Sequence, residues 1–247
     1  MRRHVTARFG AIIGVAAVAA LFHASPSFAD SADDDALYAD YQPETVTLYN
    51  DPYEPMNRRI FAFNMVVDKY IGEPLARGYR FIVPAHVRLM TRNVLKNLKQ
   101  PVSAVNHLLQ GDVTSGADAL AGFWINLTLG AGGAMDVMEA AGHDAEDEDF
   151  GQTLAVWGYG ESAYFVLPIL GPSTFRDAIG KGADAVMSPY PYIVDETTLA
   201  AKYGVTFVDA RESALQTTDD LKQSAPFDLY ASYRSLYMQY RNRQIKE

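Results

Sequence analysis

The 247-residue sequence contains no cysteine, and this absence excludes several kinds of site. Disulfide bonds cannot stabilise the fold, although the N-terminus indicates export to a compartment where they form. Outside that segment the histidines are His86, His107 and His143, and none has a second ligand three or four residues further along a helix. The sequence therefore predicts no metal site. No cysteine is present to accept a lipid either, so we expect a chain that is not a lipoprotein.

Basic residues are scarce once the N-terminal segment is set aside. Arg2, Arg3 and Arg8 precede an apolar run from Phe9 to Phe22, and a small-x-small site ends at Ala29. This pattern predicts a secretory signal peptide at 1–29, because the apolar run is too short for a membrane span. Its removal takes three arginines and no acidic residue from a net charge of −9 and leaves −12. So acidic a chain is not expected to bind nucleic acid.

Residues 30–49 contain several aspartates and few core-forming side chains, which predicts a disordered acidic leader. From residue 50 to 243 we expect one folded domain. Asp51 and Pro52 are spaced as the N-cap and first residue of a helix that continues to Tyr70. A second predicted helix runs from Ala85 to Gln100, where Pro101 breaks it.

Helical signals continue through the second half of the sequence. A short helix is expected around His107, ended by Gly111, and another begins at Asp112. Thr174 and Asp177 are spaced as the N-cap and third residue of a helix that reaches Met187. Two more predicted helices cover 195–221 and 225–243, and a β-hairpin is expected around 154–167.

Two long stretches carry no charge, and both are interrupted by glycine or proline. They are Ala119–Met135 and Ser162–Phe175. Neither can be a continuous membrane helix. Both could line an ordinary core, or they could present apolar surface to a membrane interface. Arg176 and Asp177 follow the second stretch, either as a surface ion pair at a helix start or as a contact for a lipid headgroup.

Motifs for catalysis and cofactor binding are incomplete. Ser162 lies in Gly160-Glu161-Ser162-Ala163-Tyr164, where a nucleophile elbow requires a second glycine in place of the tyrosine. The glycines at 130–133 lack the lysine of a phosphate-binding loop. The sequence predicts no cofactor and no enzyme. Two alternative hypotheses remain open. One is a lipid hydrolase that uses Ser162, and the other is a periplasmic scaffold with the two uncharged stretches in its core.

Several ordered motifs resemble one family, the MlaA/VacJ phospholipid-transport proteins of the Gram-negative outer membrane. They are N-D-P-Y-E-P-M-N-R at 50–58, F-N at 63–64 with Asp68, N-L at 97–98 with Pro101, Asn106 with L-Q-G at 109–111, N-L-T-L-G at 126–130 with G-G at 132–133, D-F-G-Q-T-L at 149–154, W-G at 157–158, and L-P-I-L-G-P-S-T-F-R-D at 167–177. The resemblance extends over almost the whole chain after residue 50.

The resemblance implies a mainly α fold, a ring-like bundle of amphipathic helices around an amphipathic pore, with at most a short β-hairpin. It also implies that outer-leaflet phospholipids pass through the pore to a periplasmic carrier of the MlaC type, which maintains lipid asymmetry. Trimeric porins are the expected partners, and the periplasmic face of the outer membrane is the expected location. We expect ten residues along the lipid path: Trp124, Leu127, Leu129, Leu167, Pro168, Ile169, Gly171, Pro172, Arg176 and Asp177.

Overall fold

A computed structural model of the chain describes residues 50–143, 146–224 and 228–246. The predicted signal peptide at 1–29 and the predicted leader at 30–49 lie outside the described residues, as does the predicted helix start at 225. The structural account that follows concerns the described ranges.

The described residues form mainly α-helices, with one two-stranded antiparallel sheet. The elements, in chain order, are α1 (Glu54–Val67), a π-helical turn (Asp68–Gly72), α2 (Glu73–Ile82), α3 (Ala85–Gln110), α4 (Val113–Thr128), α5 (Val137–Ala140), α6 (Phe150–Val156), β1 (Tyr164–Leu167), β2 (Gly171–Thr174), α7 (Phe175–Met187), α8 (Tyr190–Ile193), α9 (Glu196–Ser213), α10 (Leu215–Ser224) and α11 (Leu229–Lys246). The predicted mainly α fold with a short hairpin is confirmed.

The hairpin lies further along the chain than predicted. β1 pairs with β2 in a register that places Tyr164 opposite Thr174 and Leu167 opposite Gly171. Residues 154–156, predicted as part of the hairpin, belong instead to α6. A capping box explains this difference: the Asp149 side chain accepts from the backbone N–H of Gln152, and the Gln152 side chain accepts in return from the Asp149 N–H.

The predicted break at Pro101 is wrong, because α3 continues through it to Gln110. A proline inside a helix removes one backbone hydrogen bond and strains the preceding turn, so other contacts must hold the helix together. Side chains on both sides of Pro101 make such contacts. Gln100 donates to Asp147 at 3.1 Å, and Ser103 accepts from the backbone N–H of Glu148 at 2.8 Å. The segment at 146–149 thus braces α3 on both sides of the proline.

Other predicted boundaries have mixed outcomes. Gly111 ends α3 in the left-handed conformation, and Asp112 and Thr174 cap the helices that follow them, as predicted. Asp51 is not an N-cap, because α1 begins after Tyr53 without a side-chain cap. The helix predicted over 195–221 is divided at Ala214 into α9 and α10. Helix α2 was not predicted.

The packed elements form a closed circuit. The hairpin packs on α7, α7 on α6, α6 on α3, α3 on α9 and α9 on α2, and the π-helical turn and α1 lead back to β1. Helix α11 contacts both β2 and α6, and α10 connects it to α2 and α9. This circuit is the ring-like arrangement that the sequence predicted.

Apolar residues are distributed unusually between the interior and the surface. Among the described residues, exposed large apolar side chains outnumber the buried hydrophobic ones, and the buried set includes many charged and amide side chains. Phe81 is 91% exposed and Ile82 is 77% exposed at the end of α2. Soluble monomers rarely expose large contiguous apolar patches. In the part of the chain that the structure describes, no helix is both long enough and apolar enough to cross a membrane.

Candidate functional site

Two asparagines on α1 hold the hairpin by its backbone. The Asn57 side chain is fully buried, donates to the carbonyl of Tyr164 and accepts from the N–H of Val166 at 2.9 Å. Two helical turns later, Asn64 donates to the carbonyl of Leu167 at 2.8 Å and accepts from the N–H of Ile169 at 2.7 Å. Residues seven apart lie on the same face of a helix, so both amides meet the same strand. We call Asn57 and Asn64 the hairpin clamp.

The turn of the hairpin presents apolar side chains outwards. Ile169 is 54% exposed, and its φ of 68° places it in the left-handed region that non-glycine residues rarely occupy. Pro168 beside it is exposed, whereas Leu170 is buried. The Asn64 amide makes hydrogen bonds on both sides of Pro168, to the carbonyl of Leu167 and the N–H of Ile169. The clamp therefore fixes an exposed apolar turn against α1.

Asp51 connects the start of the described chain to α11. Its carboxylate accepts from Asn57 at 2.8 Å, from Arg234 at 2.7 Å and from the hydroxyl of Tyr230. These contacts explain why Asp51 is not a helix cap. They also tie the C-terminal helix to the hairpin clamp through a shared partner.

A buried charged cluster lies where α6, α7 and α11 meet. Arg241 donates to Asp177 at 2.9 Å and makes two hydrogen bonds to Asp149, at 2.6 and 2.7 Å. The Tyr237 hydroxyl donates to the other oxygen of Asp177 at 2.6 Å. Burial alone would raise the pKa of Asp177, but Arg241 and the hydrogen bonds hold it below its usual value. We call Asp149, Asp177, Tyr237 and Arg241 the central charged cluster.

Two glycines allow the helices of this cluster to approach closely. A Cβ atom at Gly180 would lie 2.4 Å from the backbone nitrogen of Gly151, which no side chain tolerates. A Cβ atom at Gly151 would lie 2.5 Å from the guanidinium of Arg241 and 2.9 Å from Asp177. Backbone contact between α6 and α7 therefore requires glycine at 180, and glycine at 151 leaves room for the side chains of Arg241 and Asp177.

Two further ionisable groups on α7 lie beside the central charged cluster. Asp184 accepts from the side chain of Asn106 at 3.0 Å and from the backbone N–H of Phe150 at 3.1 Å. Burial, with a smaller contribution from Asp149, raises the pKa of Asp184 to about 7. Burial lowers the pKa of Lys181 to about 8. Both groups therefore titrate much closer to neutral pH than they would in water.

A second apolar surface lies at the end of α4. Trp124 and Leu129 are exposed, at 57% and 69%, and Leu127 is 37% exposed. Between them the buried Asn126 accepts from the backbone N–H groups of Val137 and Met138. A buried amide thus fastens the glycine-rich loop while its apolar neighbours face outwards.

The ten residues predicted along the lipid path occupy three kinds of place. Those that are exposed lie in the hairpin turn and at the end of α4: Trp124, Leu127, Leu129, Pro168 and Ile169. Leu167 and Gly171 are half-buried, and Pro172 is buried in β2. The two surfaces are linked through α3, α6 and α7, which pack in succession between α4 and the hairpin.

Arg176 and Asp177 are both buried, so the interpretation as a surface ion pair is wrong. They lie 3.3 Å apart between Arg176 Nε and Asp177 Oδ1, and the carboxylate also binds the central charged cluster. The interior position follows from the contact of α7 with β2 and α6, which the sequence did not indicate. Roles for Asn57, Asn64, Tyr237 and Arg241 were also missed, although the first two lie in motifs that carried the resemblance.

Ser162, the candidate nucleophile of the alternative hydrolase, has a structural partner. Its hydroxyl accepts from the backbone N–H of Arg176 at 3.1 Å, at the first turn of α7. Among the described residues, no group of three or more potential ligands is placed to hold a metal ion.

Comparison with known proteins identifies the family. The sequence matches the family described as MlaA lipoprotein over residues 49–244. It is 35% identical over 201 residues to the intermembrane phospholipid transport system lipoprotein MlaA of Haemophilus influenzae, a match covering 80% of this chain and 79% of that protein. The protein of the same name in Escherichia coli K12 is 34% identical over 194 residues, with 77% and 76% covered.

A solved structure is similar to this chain in fold as well as in sequence. It concerns the structural basis for maintenance of bacterial outer membrane lipid asymmetry, and it superposes with a TM-score of 0.68 at 34% identity. The superposition covers 77% of this chain and 96% of that chain. The chain belongs to the MlaA family.

These comparisons correct one expectation. The chain was expected not to be a lipoprotein, but the matching family is described as a lipoprotein family and the relatives from Haemophilus influenzae, Shigella flexneri and Escherichia coli are named lipoproteins. The expectation rested on the absence of cysteine alone, and that single observation does not outweigh a match over most of the chain.

Proposed function

We propose that this protein is a phospholipid-transport component of the outer membrane that helps to maintain lipid asymmetry. Mislocalised outer-leaflet phospholipids would pass through an amphipathic pore to a periplasmic carrier. Relatives at 34–35% identity are named for intermembrane phospholipid transport, and the solved neighbour concerns outer membrane lipid asymmetry. The role is passage of a lipid without chemical change.

The observation that carries the proposal is the exposure of many large apolar side chains beside a set of buried polar groups. Charged and amide groups such as Asp177, Arg241 and Asn57 are buried, while large apolar side chains face outwards. Burial of apolar surface is worth about 25 cal/mol per Å². Such a large exposed apolar surface is therefore unfavourable in water. Contact with acyl chains removes that cost without requiring a helix that spans the bilayer.

The proposed lipid path is bordered by the exposed hairpin turn and by the end of α4. Pro168, Ile169 and Trp124 would contact acyl chains, with Leu127 and Leu129 beside them. Leu167, Gly171 and Pro172 would support the turn from the strands. Arg176 and Asp177 would act from the interior, by holding α7 against β2, the strand that follows the turn.

The proposed partners follow from the family. An MlaC-type periplasmic carrier would receive the lipid, and trimeric porins would hold the protein in the outer membrane. The C-terminal helix α11 carries Arg243 and Lys246 near its end, and it is a candidate surface for either the carrier or the membrane.

Replacing Ile169 with aspartate tests the lipid path. Aspartate tolerates the left-handed backbone of Ile169, so the change adds a charge to the apolar turn without adding backbone strain. Cells that depend on the Ile169→Asp variant should accumulate phospholipid in the outer leaflet, measured with an amine reagent that does not cross the membrane. Leu167→Asp should have the same effect.

Gly142→Asp is the matched control, because Gly142 also has a positive φ and a Cβ atom there would meet nothing within 4 Å. This control should leave the outer leaflet normal. Normal asymmetry in cells with a folded and correctly located Ile169→Asp protein would refute the path.

A further inference from the structure

An open cavity lies between the π-helical turn and the C-terminal helices, away from the residues of the proposed lipid path. Its volume is about 760 Å³, and it is open to solvent on one side. The lining residues are Met65, Lys69, Glu73, Pro74, Arg77, Lys222 and Leu229. We call this space the basic cavity.

Cations outnumber carboxylates around the basic cavity. Glu73 binds Arg77 at 2.9 Å and Lys222 at 3.2 Å, and Arg77 also binds Asp219 of α10 at 2.9 Å. Lys69 lies with its ammonium 5.6 Å from the centre of the Tyr70 ring. Together these five charged groups carry a formal charge of +1 in a chain whose net charge is −9. The cavity therefore has a small local excess of positive charge on an acidic protein, which favours an anion over a cation there.

Tertiary contacts between exposed side chains connect the elements that line the cavity. The pairs of Glu73 with Lys222 and of Arg77 with Asp219 join α2 to α10 across more than 140 residues of sequence. At the start of the π-helical turn, Asp68 accepts two hydrogen bonds from Arg211 of α9, at 2.5 and 2.9 Å. These contacts anchor both ends of the π-helical turn that carries Lys69, and π-helical turns frequently occur at functional sites.

The apolar part of the lining restricts what kind of anion fits. Met65, Pro74 and Leu229 complete the wall and are its apolar part. A small hydrated anion gains nothing from these surfaces. An amphiphile gains from both, with its anionic group among the cations and its chains on the apolar side chains.

We propose that the basic cavity binds the phosphodiester of a glycerophospholipid, with a preference for lipids of net negative charge. Lys69 and Lys222 contact the phosphate, Arg77 holds Glu73 away from it, and the acyl chains lie along Met65, Pro74 and Leu229, the apolar part of the lining. The inference rests on the proposed function, and it assigns a headgroup site to residues outside the predicted lipid path.

The test is a lipid titration of the purified full chain in detergent micelles. Fluorescent phosphatidylglycerol, phosphatidylethanolamine and diacylglycerol serve as probes. Lys69→Gln should weaken phosphatidylglycerol binding about fivefold, the scale of a partly exposed charge pair, and leave diacylglycerol binding unchanged. Lys222→Gln should act in the same direction. Wild-type protein should bind phosphatidylglycerol more tightly than phosphatidylethanolamine, and added salt should reduce that difference.

Arg59→Gln is the matched control, because Arg59 is an exposed cation on α1 that is not among the lining residues of the cavity. The Arg59→Gln variant should bind every probe with the same affinity as the wild type. Lys69→Gln leaves the bond between Glu73 and Lys222 in place, so it remains informative if Lys222→Gln loosens α10. Unchanged phosphatidylglycerol binding in Lys69→Gln would overturn the site, as would competition by inorganic phosphate at the same concentration as the lipid.

The two proposals fail differently. If wild-type protein binds none of the lipid probes, the proposed transport function itself is contradicted. If it binds them and both lysine variants do so equally well with the same headgroup order, only the basic cavity is wrong.

Discussion

At the scale of single residues, the interior of this protein depends on a few buried charges that neutralise one another. Arg241 serves two carboxylates, Asp149 and Asp177, and its side chain is only 7% exposed. Asp149 is 42% exposed, whereas Asp177 is buried, so removing Arg241 leaves Asp177 buried with weaker compensation. Such a loss costs more than the loss of a surface pair does.

Arg241→Met should therefore lower the free energy of unfolding by about 3 kcal/mol, the lower end of the cost of breaking a buried pair. The methionine fills much of the space but leaves Asp177 with only its longer contact to Arg176 and removes both hydrogen bonds to Asp149. Denaturant unfolding in detergent, followed by circular dichroism, measures the effect. Arg59→Met, at an exposed position on α1, serves as the control and should stay close to wild type. A loss below about 1 kcal/mol for Arg241→Met would contradict a structural role for the cluster.

The free energy of unfolding should depend on pH because Asp184 titrates at a different pH in the folded and unfolded states. Its pKa is raised to about 7 in the folded chain, against a usual value of 3.8, so the folded state holds a proton that the unfolded state has lost. Stability from this group is present below about pH 4 and decreases as the pH rises towards 7.

Asp184→Asn should remove that contribution, because an amide can still accept from Asn106 and Phe150 but does not titrate. The difference between wild-type and variant melting temperatures, measured from pH 4 to pH 8, should change steadily up to about pH 7 and then level off. A difference that is constant over this range would show that Asp184 is not protonated in the folded protein.

At the scale of elements, the hairpin is held from one side by α1. Each asparagine of the hairpin clamp satisfies both a backbone carbonyl and a backbone N–H of the β1 segment. A buried group left without its partner costs about 1–3 kcal/mol, so each asparagine should stabilise its own part of the hairpin.

Replacement of each asparagine by alanine should open the hairpin at a different position. Asn57→Ala should speed hydrogen exchange at the amide of Val166, and Asn64→Ala should speed it at Ile169, because those N–H groups lose their acceptors. Each variant is the control for the other. Equal acceleration at both amides in both variants would mean that the hairpin opens as one unit and that the clamp does not act locally.

Local signals in the sequence were sufficient for the helix starts at Asp112 and Thr174 and for the glycine end at Gly111, but not for the start predicted at Asp51. Thr174, Asp112 and Gly111 act through neighbours within a few residues, so the sequence itself contains the information. Pro101 shows the opposite case. Its effect was misjudged because the contacts that keep α3 continuous come from residues 146–149, more than 40 positions away.

The candidate site was also predictable only where the signal is local in the sequence. Exposed apolar positions at the hairpin turn and the end of α4 follow from uncharged stretches that glycine and proline interrupt. The burial of Asp177 was not predictable, because its partners Tyr237 and Arg241 lie 60 and 64 residues further on. The basic cavity was missed because it joins α2, which was not predicted, to α10.

At the scale of the whole molecule, a ring of helices combines an interior of both apolar and polar side chains with a surface that exposes many large apolar ones. The closed circuit of packed elements explains how the chain can expose large apolar side chains and remain held together: the buried amides and ion pairs supply the specific contacts between elements. The apolar surfaces are then available to acyl chains, while no helix in the described ranges spans a bilayer.

The central claim is that this exterior contacts phospholipid, and the most direct measurement is the lipid content of the purified protein. The protein should be extracted from membranes with a mild detergent, purified, and analysed for bound phosphorus and for lipid by mass spectrometry. We expect phospholipid to remain bound, and we expect the protein to aggregate when detergent is removed. A monomer that stays in solution without detergent and carries no phospholipid would contradict the account.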